Sequence, residues 1–553
     1  MSLRSTNLDK LPTTIFDTLI VGAGINGAVS AAALSSQGAS VALIDRGDFG
    51  SFTSQNSSNL AWGGIKYMDT LEFGLVLKLC KSRNQLMTAY PSSVKEIRFL
   101  TSIGKGFKYP SLLLYFAALL YWFLGRCFTH PPRWIRGSRL EKEESIINGD
   151  LMSGGFEYSD AILVDNDSRF VFGFVRQAIT NGCIAANYVE SLGASRAEGG
   201  LWHVECRDVR SGEIFTIKCR TLVNACGPFV DEHNDRANIS TDHAHVFSKG
   251  IHLIVDGLAK VNRVLTFFAD DGRPFFAIPM GTRTSIGTTD TRVPTPESEI
   301  TAEDEAFVLD NINKRLRCNP PLSAKDVIAT RCGVRPLVVN DQTASTSGDW
   351  TKLSRKHEVE INFTERTISI FGGKLTDCIN VGDEVASAVG ALGVDMRFSG
   401  TKWYGEPLHA REEFIHQARL LGLDELTSPH ASEPLSERLW RRYGMRALGM
   451  LEDIRQDPSM SDSLIEGSEY LRCEIFGTAR HEMVVTLDDF LRRRSRLSQV
   501  MSHTTLMQSK GLRQACRILF GSDAPAQWSA YFNAPWPDDD NESTSPSVVS
   551  IKR

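Results

Sequence analysis

Several features that mark particular classes of protein are missing from this 553-residue sequence. Its 11 cysteines include no C-x-x-C pair, which argues against a zinc cluster and a disulfide framework. No metal is expected, and the cysteine usage fits a reducing compartment. The N-terminus lacks the basic start, apolar core and cleavage site of a signal peptide. With 61 Lys and Arg against 66 Asp and Glu, no nucleic-acid partner is expected.

The long apolar runs typical of membrane-spanning helices are also missing. The apolar run at 112–124, LLLYFAALLYWFL, has thirteen residues, which is short of the roughly 20 needed to span a bilayer. Basic residues flank this run: Lys105, Lys108, Arg126, Arg133, Arg136 and Arg139. One interpretation is a buried helix or a contact between two copies of the chain. The other is a helix lying in a membrane interface, with the basic residues on anionic headgroups.

What is present first is a strand–turn–helix–strand pattern. Residues 15–21 are β-branched and apolar, GAGING follows, a small-residue helix runs to Gly38, and 40–45 is a second buried strand. This predicts an α/β fold with a Rossmann-type dinucleotide-binding domain. An antiparallel-sheet substrate domain and a C-terminal all-helical domain complete the expected architecture.

The predicted domains follow changes in pattern along the chain. Residues 70–100 look helical, and from about 400 Arg-, Leu- and Glu-rich amphipathic stretches dominate. The basic run 491–497 is interpreted as a solvated or salt-bridged helix face, with an anionic surface as the alternative. The expected units are a discontinuous cofactor domain (15–80, 150–235, 360–396), a helical apolar insertion (81–149), a substrate domain (236–359), a helical domain (400–535) and a disordered tail (536–553).

The glycine turn predicts a dinucleotide site. Gly22 permits the tight turn, Gly24 lets the backbone approach a pyrophosphate, and Gly27 lets helix and strand pack closely. The helix N-terminus then faces the phosphates. Asp45 ends the second strand, placed to accept both hydroxyls of an adenosine ribose, which disfavours NADP.

The glycine pattern alone does not separate FAD from NAD. Three later segments favour FAD: NACGP at 224–228, FGGKLT at 371–376 and the polar stretch TSQNSSNLAWGGIKYM at 53–68. A helix N-terminus after FGGKLT suits the negative charge that a reduced flavin gathers. The polar stretch suits a long ligand laid along a loop.

In this order, the segments resemble one family over about residues 15 to 510. They are VGAGINGA (21–28), VALIDRGDFGSFTSQNSSNLAWGGIKYM (41–68), VNACGPFVD (223–231), KGIHLIV (249–255), FFAIPMGTRTSIGTTDT (275–291), RCGVRPLV (331–338), SR (354–355), FGGKLT (371–376) and VTLDDFLRRRSRL (485–497). The chain resembles the FAD-dependent glycerol-3-phosphate dehydrogenases, within the D-amino-acid-oxidase-like flavoproteins.

The resemblance implies two sets of site residues. The expected cofactor-binding residues are Gly22, Gly24, Asn26, Gly27, Asp45, Arg46, Thr53, Ser54, Ser57, Trp62, Gly63, Gly64, Val189, Ala225, Gly227, Gly372, Gly373, Lys374, Leu375 and Thr376. The expected catalytic or substrate-binding residues are His252, Thr288, Arg335, Arg355 and Lys374. A neutral His252 would accept the hydroxyl proton, and arginine forks suit a phosphate.

The implied reaction is oxidation of glycerol 3-phosphate to dihydroxyacetone phosphate, with hydride transfer to flavin N5. The implied acceptor is a membrane quinone, and the implied location is the cytoplasmic face of the inner membrane, with a homodimer as a further expectation. Two alternatives stay open: a different hydroxy substrate, phosphorylated or not, and a flavin-binding protein without turnover.

Some positions depart from the family's usual pattern. Asn59, Trp62 and Lys66 stand where the family usually has Lys, His and Arg. After GGKLT, Asp377-Cys378-Ile379 replaces the usual Thr-Tyr-Arg. These departures put the substrate in doubt more than the cofactor.

Overall fold

The computed structural model describes residues 2–270, 272–340, 356–428, 431 and 433–537. The strands are β1 (Ile15–Val21), β2 (Val41–Asp45), β3 (Leu60–Ala61), β4 (Val94–Gly104), β5 (Arg133–Arg136), β6 (Met152–Leu163), β7 (Ile184–Asn187), β8 (Val189–Arg196), β9 (Trp202–Asp208), β10 (Ile214–Asn224), β11 (His243–Asp256), β12 (Val264–Phe268), β13 (Pro274–Met280), β14 (Arg283–Gly287), β15 (Thr291–Val293), β16 (Ala329–Asn340), β17 (Glu358–Asn362) and β18 (Thr367–Phe371).

The α-helices alternate with these strands and then dominate the C-terminal part. They are α1 (Leu3–Lys10), α2 (Ile25–Ser36), α3 (Phe73–Ala89), α4 (Ser111–Leu124), α5 (Gly137–Glu143), α6 (Asp167–Thr180), α7 (Val230–Arg236), α8 (Ala302–Arg315), α9 (Cys378–Ala391), α10 (Leu408–Leu420), α11 (Leu435–Tyr443), α12 (Ala447–Gln456), α13 (Arg472–His481), α14 (Leu497–Val500), α15 (His503–Gln508), α16 (Lys510–Phe520) and α17 (Ala524–Phe532).

The first sheet has the parallel core that the sequence predicts. Its strands lie in the order β17-β18-β10-β1-β2-β7, and β18, β10, β1, β2 and β7 are parallel. Helix α2 packs against α6 and α9, and small buried residues such as Ala28 and Ala32 allow the close approach. The Rossmann-type prediction is confirmed, with β1, α2 and β2 around the glycine turn.

The second sheet is largely antiparallel, as predicted. Its order is β15-β11-β14-β13-β12-β4-β6-β3, with β16 on β11 and β5 on β6. Strands β11 and β16 pair antiparallel from His243↔Asn340 to Ile254↔Ala329. This long pairing lays the positions expected to bind substrate side by side.

The prediction of a helix over 70–100 is wrong in its second half. Helix α3 ends at Ala89, before Pro91, and strand β4 follows. A proline restricts the preceding residue to extended backbone, so it stops the helix there. Strand β4 pairs antiparallel with β6 and parallel with β12, and β5 also pairs with β6, so the segment 81–149 contributes two strands to the second sheet.

The C-terminal part is helical, as expected, and holds two apolar cores of its own. Trp536, where the predicted tail begins, still packs against Trp528 with ring centroids 5.4 Å apart. The rest of the predicted tail, from residue 538, lies outside the described residues. In the described residues, no helix is both long and apolar enough to cross a bilayer.

The basic run docks the C-terminal part onto the first sheet instead of facing water. A π-helical turn, Asp489–Arg494, places Arg493 and Arg494 against Asp48, just after β2. Arg494 makes two 2.8 Å contacts with Asp48, and Arg493 makes one at 2.8 Å. Although burial opposes the charge, the two guanidinium groups lower the pKa of Asp48. The run is therefore salt-bridged but not solvated.

Replacing Asp48 with Asn should lower the free energy of unfolding by about 3–5 kcal/mol, since two buried arginines would lose their carboxylate. Urea unfolding of the purified protein measures this. Asp150→Asn removes the exposed partner of Arg317 and should change stability by only about 0.5 kcal/mol. Equal effects of the two changes would contradict the docking role of Asp48.

Candidate active site

The glycine turn forms a close backbone crossing. A Cβ at Gly22, whose φ is +98°, would lie 2.5 Å from the carbonyl oxygen of Ala225, and one at Gly27 would lie 1.8 Å from Gly22 O. Neither position accepts a side chain. The N–H of Ile25 in the first turn of α2 donates to Ser54 Oγ at 3.0 Å. Backbone donors of this helix end are thus directed toward the polar stretch, where a pyrophosphate would bind.

Asp45 lies on one side of this turn. Its carboxylate accepts from the N–H of Ala23 at 2.7 Å and from that of Gly47 at 2.8 Å. Burial raises the pKa of Asp45 to about 6, although these hydrogen bonds oppose the rise. The carboxylate lines a cleft with about 530 Å³ of empty space, the position expected for an adenosine.

Arg46 and Val189, two further expected cofactor residues, line the same cleft. The Arg46 guanidinium lies 3.8 Å from the ring centroid of Phe229 and 5.1 Å from that of Phe52. Planar groups along the wall suit a planar base. Gly227, with φ +59°, turns the chain beside Cys226, which also lines the cleft.

The FGGKLT turn comes to the opposite side of α2. Gly372 and Gly373 have φ of +63° and +123°. The side-chain amide of Asn26 donates to Gly372 O at 2.9 Å, and Gly372 N–H donates to His245 Nε2 at 3.1 Å. The expected residues Asn26, Gly372 and Gly373 are therefore in direct contact.

Lys374 and the residues after it meet the polar stretch. Lys374 Nζ donates to the hydroxyl of Tyr67 at 3.0 Å and lies 4.4 Å from the ring centroid. Leu375 begins a short 3₁₀ turn, and Thr376 donates to the carbonyl oxygen of Trp62 at 3.4 Å. Tyr67 lies in the polar stretch 53–68, but its sequence context does not identify it as the partner of Lys374.

The polar stretch 53–68 crosses from the first sheet to the second. Thr53 Oγ1 donates to Val334 O on β16 at 2.8 Å, and Arg331 donates to Ser57 O at 2.7 Å. Arg331 is fully buried and also bonds Gln499 in the C-terminal part at 2.6 Å. Arg331 lies in the quoted RCGVRPLV motif, yet only the long-range contacts reveal its role.

Trp62 packs into the second sheet. Its indole N–H donates to Tyr158 OH at 3.2 Å, and its ring meets Phe276 edge-on at 6.0 Å. Asn59, two residues after Ser57, is buried with φ +58°, a conformation that asparagine adopts more readily than lysine.

A buried polar cluster fixes Gly63, next to Trp62. Gly63 N–H donates to Asp160 at 3.0 Å, and Asp160 also accepts from Arg83 at 2.9 Å and from Tyr121 at 2.7 Å. Burial raises the pKa of Asp160, against the effect of Arg83. Gly64 follows with φ +82°. The sequence gives no local signal for this cluster.

The substrate-side residues converge on β11, β14 and β16. His252 pairs with Gly287 on one side and Arg331 on the other. Arg335 lies over Gly250, where a Cβ would meet its guanidinium at 2.2 Å, and donates to Thr288 Oγ1 at 3.1 Å. His252, Thr288 and Arg335 are thus brought together, while Arg355 lies outside the described residues.

His252 is buried, and neither ring nitrogen has a hydrogen-bond partner among the described residues. Burial, then the charges of Arg331 and Arg335, lower its pKa to about 3. The imidazole is therefore neutral at pH 7. A buried, unpartnered imidazole is costly unless a ligand completes it. Elsewhere in the described ranges, no group of three or more His, Cys, Asp or Glu side chains suits a metal.

The departure at Asp377 forms a charged cluster at the start of α9. His357 Nδ1 lies 3.1 Å from Asp377 Oδ2, and Nε2 lies 2.8 Å from Glu384 Oε2. Lys78 Nζ lies 3.3 Å from Asp377, and Ser82 donates to it at 2.7 Å. Burial opposes a charged imidazole, but the two carboxylates raise the pKa of His357.

A parallel sheet with a glycine turn, joined to a second sheet bearing a neutral histidine and an arginine, defines a dinucleotide-dependent oxidoreductase. The profile of the FAD dependent oxidoreductase family matches residues 17–349, more than half of the chain. The chain belongs to this family and is a FAD-dependent flavoprotein. The profile of the C-terminal domain of alpha-glycerophosphate oxidase matches residues 395–512.

Individual relatives agree with the family resemblance. A glycerol-3-phosphate dehydrogenase of Pseudomonas aeruginosa is 29% identical over 498 residues, 88% of this chain and 93% of the relative. Glycerol-3-phosphate dehydrogenase 2 of Mycobacterium tuberculosis is 28% identical over 518 residues, covering 89% and 83%. The solved glycerol-3-phosphate dehydrogenase of Bacillus halodurans, complexed with FAD, shares the fold with a TM-score of 0.66, 22% identity and coverage of 96% and 94%.

The raised pKa of His357 predicts a pH-dependent contribution to stability. It is complete below the unfolded value near 6.5 and is lost as the pH rises through the folded value. The Tm difference between wild type and His357→Gln should therefore shrink from about pH 6 to about pH 9. Thermal unfolding measures it, with the exposed His409→Gln as control. A difference that grows with pH would contradict the assignment.

Proposed function

We propose that this flavoprotein oxidises sn-glycerol 3-phosphate to dihydroxyacetone phosphate and passes the electrons to a quinone. The observation that carries the proposal is the buried His252, whose ring nitrogens have no hydrogen-bond partner in the described part of the chain, beside Arg335 and Thr288. His252 supplies a proton acceptor and Arg335 supplies a cation, and they lie on the paired strands β11 and β16. The names of the relatives, glycerol-3-phosphate dehydrogenases, support the same substrate.

The cofactor would be held by the residues described above. Asp45 and Arg46 would bind the adenosine, Gly24 and Ser54 the pyrophosphate, and the turn at Gly372 the isoalloxazine end. When bound, FAD supplies a two-electron acceptor for the hydride at flavin N5. Gly22 is required by the Ala225 and Cys226 backbone, and the tight turn that it permits leads directly into the first turn of α2, where the pyrophosphate would lie.

His252 would accept the proton of the C2 hydroxyl. The imidazole is neutral because burial lowers its pKa to about 3. A phosphate dianion entering beside it would favour the imidazolium, opposing the effect of Arg331 and Arg335. Proton acceptance is therefore easier in the substrate complex than in the free protein.

Arg335 would orient the substrate. Its guanidinium is held by Thr288 at 3.1 Å and by Asp290 at 3.4 Å, so it presents its charge in a fixed direction. We place it nearer the carbinol and Arg355 nearer the phosphate. Lys374, oriented by Tyr67, would add positive charge at the cofactor's pyrimidine end or at the substrate.

A second candidate keeps the enzyme class but changes the substrate to another hydroxy compound, phosphorylated or not. Trp62 favours it: its indole stands where the family usually has an imidazole, and Tyr158 and Phe276 fix it in place. A bulkier side chain beside the substrate would select a different shape. A third candidate, flavin binding without turnover, is disfavoured by the intact His252 and Arg335.

Anaerobic mixing with glycerol 3-phosphate should bleach the flavin of the wild type. Arg335→Met should lower kcat/KM by about 100-fold or more at unchanged FAD content, since a charged hydrogen-bonding partner is lost. Arg292→Met, on the same sheet but exposed, is the matched control. Bleaching only by other hydroxy compounds would favour the second candidate, and no bleaching by any would favour the third.

Contact with a membrane is proposed through α4. Ala118 and Tyr121 are buried, whereas Phe116 is 57% and Phe123 is 71% exposed, so this chain covers only one face of the helix. Lys105, Lys108 and Arg126 are exposed at the two ends of the helix. An apolar face with flanking cations suits an anionic membrane surface, where a quinone would also be reached.

The double change Phe116→Ser and Phe123→Ser should reduce co-sedimentation with phosphatidylglycerol vesicles about fivefold or more, because the buried apolar area is lost. Phe363→Ser, exposed on another surface, should leave it unchanged. If the wild type does not co-sediment with vesicles and the double change converts a dimer into a monomer, α4 is a homodimer contact instead.

A further inference from the structure

A second, larger cleft lies between α6 and the C-terminal helices, and shares no lining residue with the active site described above. Its empty space amounts to about 1450 Å³. One wall comes from α6, with Phe170, Gly173 and Arg176, and the facing wall comes from α11 and the residues after it, with Trp440 and Arg446. A ligand bound there would contact both parts of the chain.

Five arginines line this cleft, and the charges of three of them are neutralised by ion pairs with carboxylates. Arg169 forms an ion pair with Glu482, in which Arg169 Nη2 donates to Glu482 Oε1 at 2.8 Å. Ion pairs also hold Arg441 and Arg442, through Asp165 at 2.7 Å and through Glu474 at 2.9 Å. These three arginines dock the C-terminal helices onto α6 and leave no uncompensated charge of their own.

Arg176 and Arg446 differ from the other three. Neither forms an ion pair with any carboxylate in the described ranges. Arg176 donates one bond, to the backbone carbonyl oxygen of Arg442 at 2.8 Å. Burial, then the neighbouring charge of Arg169 and to a lesser degree that of Arg446, lower the pKa of Arg176 to about 10, although Glu482 opposes them. The carboxylate that acts on Arg176 is Glu482, which is already bonded to Arg169, so the half-buried Arg176 and Arg446 leave a local excess of positive charge.

Glu406, the acidic residue of the cleft lining, forms no ion pair with Arg176 or Arg446 among the described residues. One of its oxygens accepts from the backbone N–H of Ser92 at 2.9 Å, and the other accepts from the indole N–H of Trp440 at 3.1 Å. The carboxylate is used to fix the cleft wall.

The cleft also has an apolar wall. Phe170, Phe174 and Trp440 line it, and the side chain of Met445 is 58% exposed at its edge. Nothing lies within 4 Å of a Cβ built on Gly173, so the surface of α6 opens into the space at that point. Aromatic side chains beside fixed polar groups are the usual lining of small-molecule sites.

We propose that this cleft binds an organic phosphate, with the phosphate between Arg176 and Arg446 and an apolar or aromatic body against Phe170 and Trp440. Guanidinium groups recognise phosphate oxygens through paired hydrogen bonds. Since the two arginines come from different parts of the chain, the bound ligand links α6 to the C-terminal helices. The site is separate from the proposed substrate site and does not depend on that substrate's identity.

Isothermal titration calorimetry of the FAD-loaded protein tests the proposal with three probes: adenosine monophosphate, octyl phosphate and inorganic phosphate. At least one of the two organic phosphates should bind with a Kd between roughly 1 μM and 1 mM. Arg176→Gln and Arg446→Gln should each weaken that binding about tenfold or more, because each removes a charged hydrogen-bond donor. Arg419→Gln, an exposed arginine on α10, should leave it unchanged.

The choice of probe separates two ligand sources: a nucleotide if adenosine monophosphate binds, and a lipid-like phosphate if octyl phosphate does. Arg176→Lys keeps the charge but loses the paired hydrogen bonds, so it should weaken binding less than Arg176→Gln does, which distinguishes lost charge from lost folding. Undiminished binding by both Gln variants would overturn the proposal. So would an absence of binding by both organic phosphates, or equally tight binding of inorganic phosphate, since the apolar wall would then contribute nothing.

Discussion

The close approach of three backbone segments at the carboxyl end of the first sheet constrains the rest of the site. A side chain at Gly22 would collide with Ala225 O at 2.5 Å, and one at Gly27 with Gly22 O at 1.8 Å. The crossing sets the start of α2, and through Asn26 it sets Gly372, which directly follows β18. A cofactor laid over the first turn of α2 therefore meets the end of β18 with its other half.

The stretch 53–68 transmits this constraint to the second sheet. Thr53 bonds β16, Arg331 bonds Ser57, and Asp160 on β6 bonds Gly63. Each of these hydrogen bonds attaches the stretch 53–68 to the second sheet. The register of His252 and Arg335 on β11 and β16 is thus fixed relative to the glycine turn, although they are more than two hundred residues later in sequence. The geometry of the reaction centre is a consequence of this linkage.

The parts of the fold that the sequence predicts are those with local causes. Strand β1, the turn at Gly22 and helix α2 follow from apolar periodicity and glycine conformation. Strand β4 is missed because its burial depends on pairing with β6 and β12. The ion pairing of the basic run is predicted, but its burial is not, because Asp48 is 446 residues away from Arg494. Among site residues, those in glycine-marked turns can be predicted. The cluster around Asp160 cannot, since Arg83 and Tyr121 lie 77 and 39 residues from it.

The same distinction explains the departures from the family pattern. Asn59 suits a positive φ, and Trp62 is anchored by Tyr158, so the second sheet accounts for both without reference to a ligand. Asp377 would by itself place a negative charge three residues from Lys374, at a helix start where reduced flavin needs positive charge. Lys78 lies 3.3 Å from it and offsets that charge, and His357, 3.1 Å away, adds a second positive charge when protonated. The electrostatics of the FGGKLT turn can therefore remain suited to flavin reduction even without the usual arginine, which weakens the case that these departures alone demand another substrate.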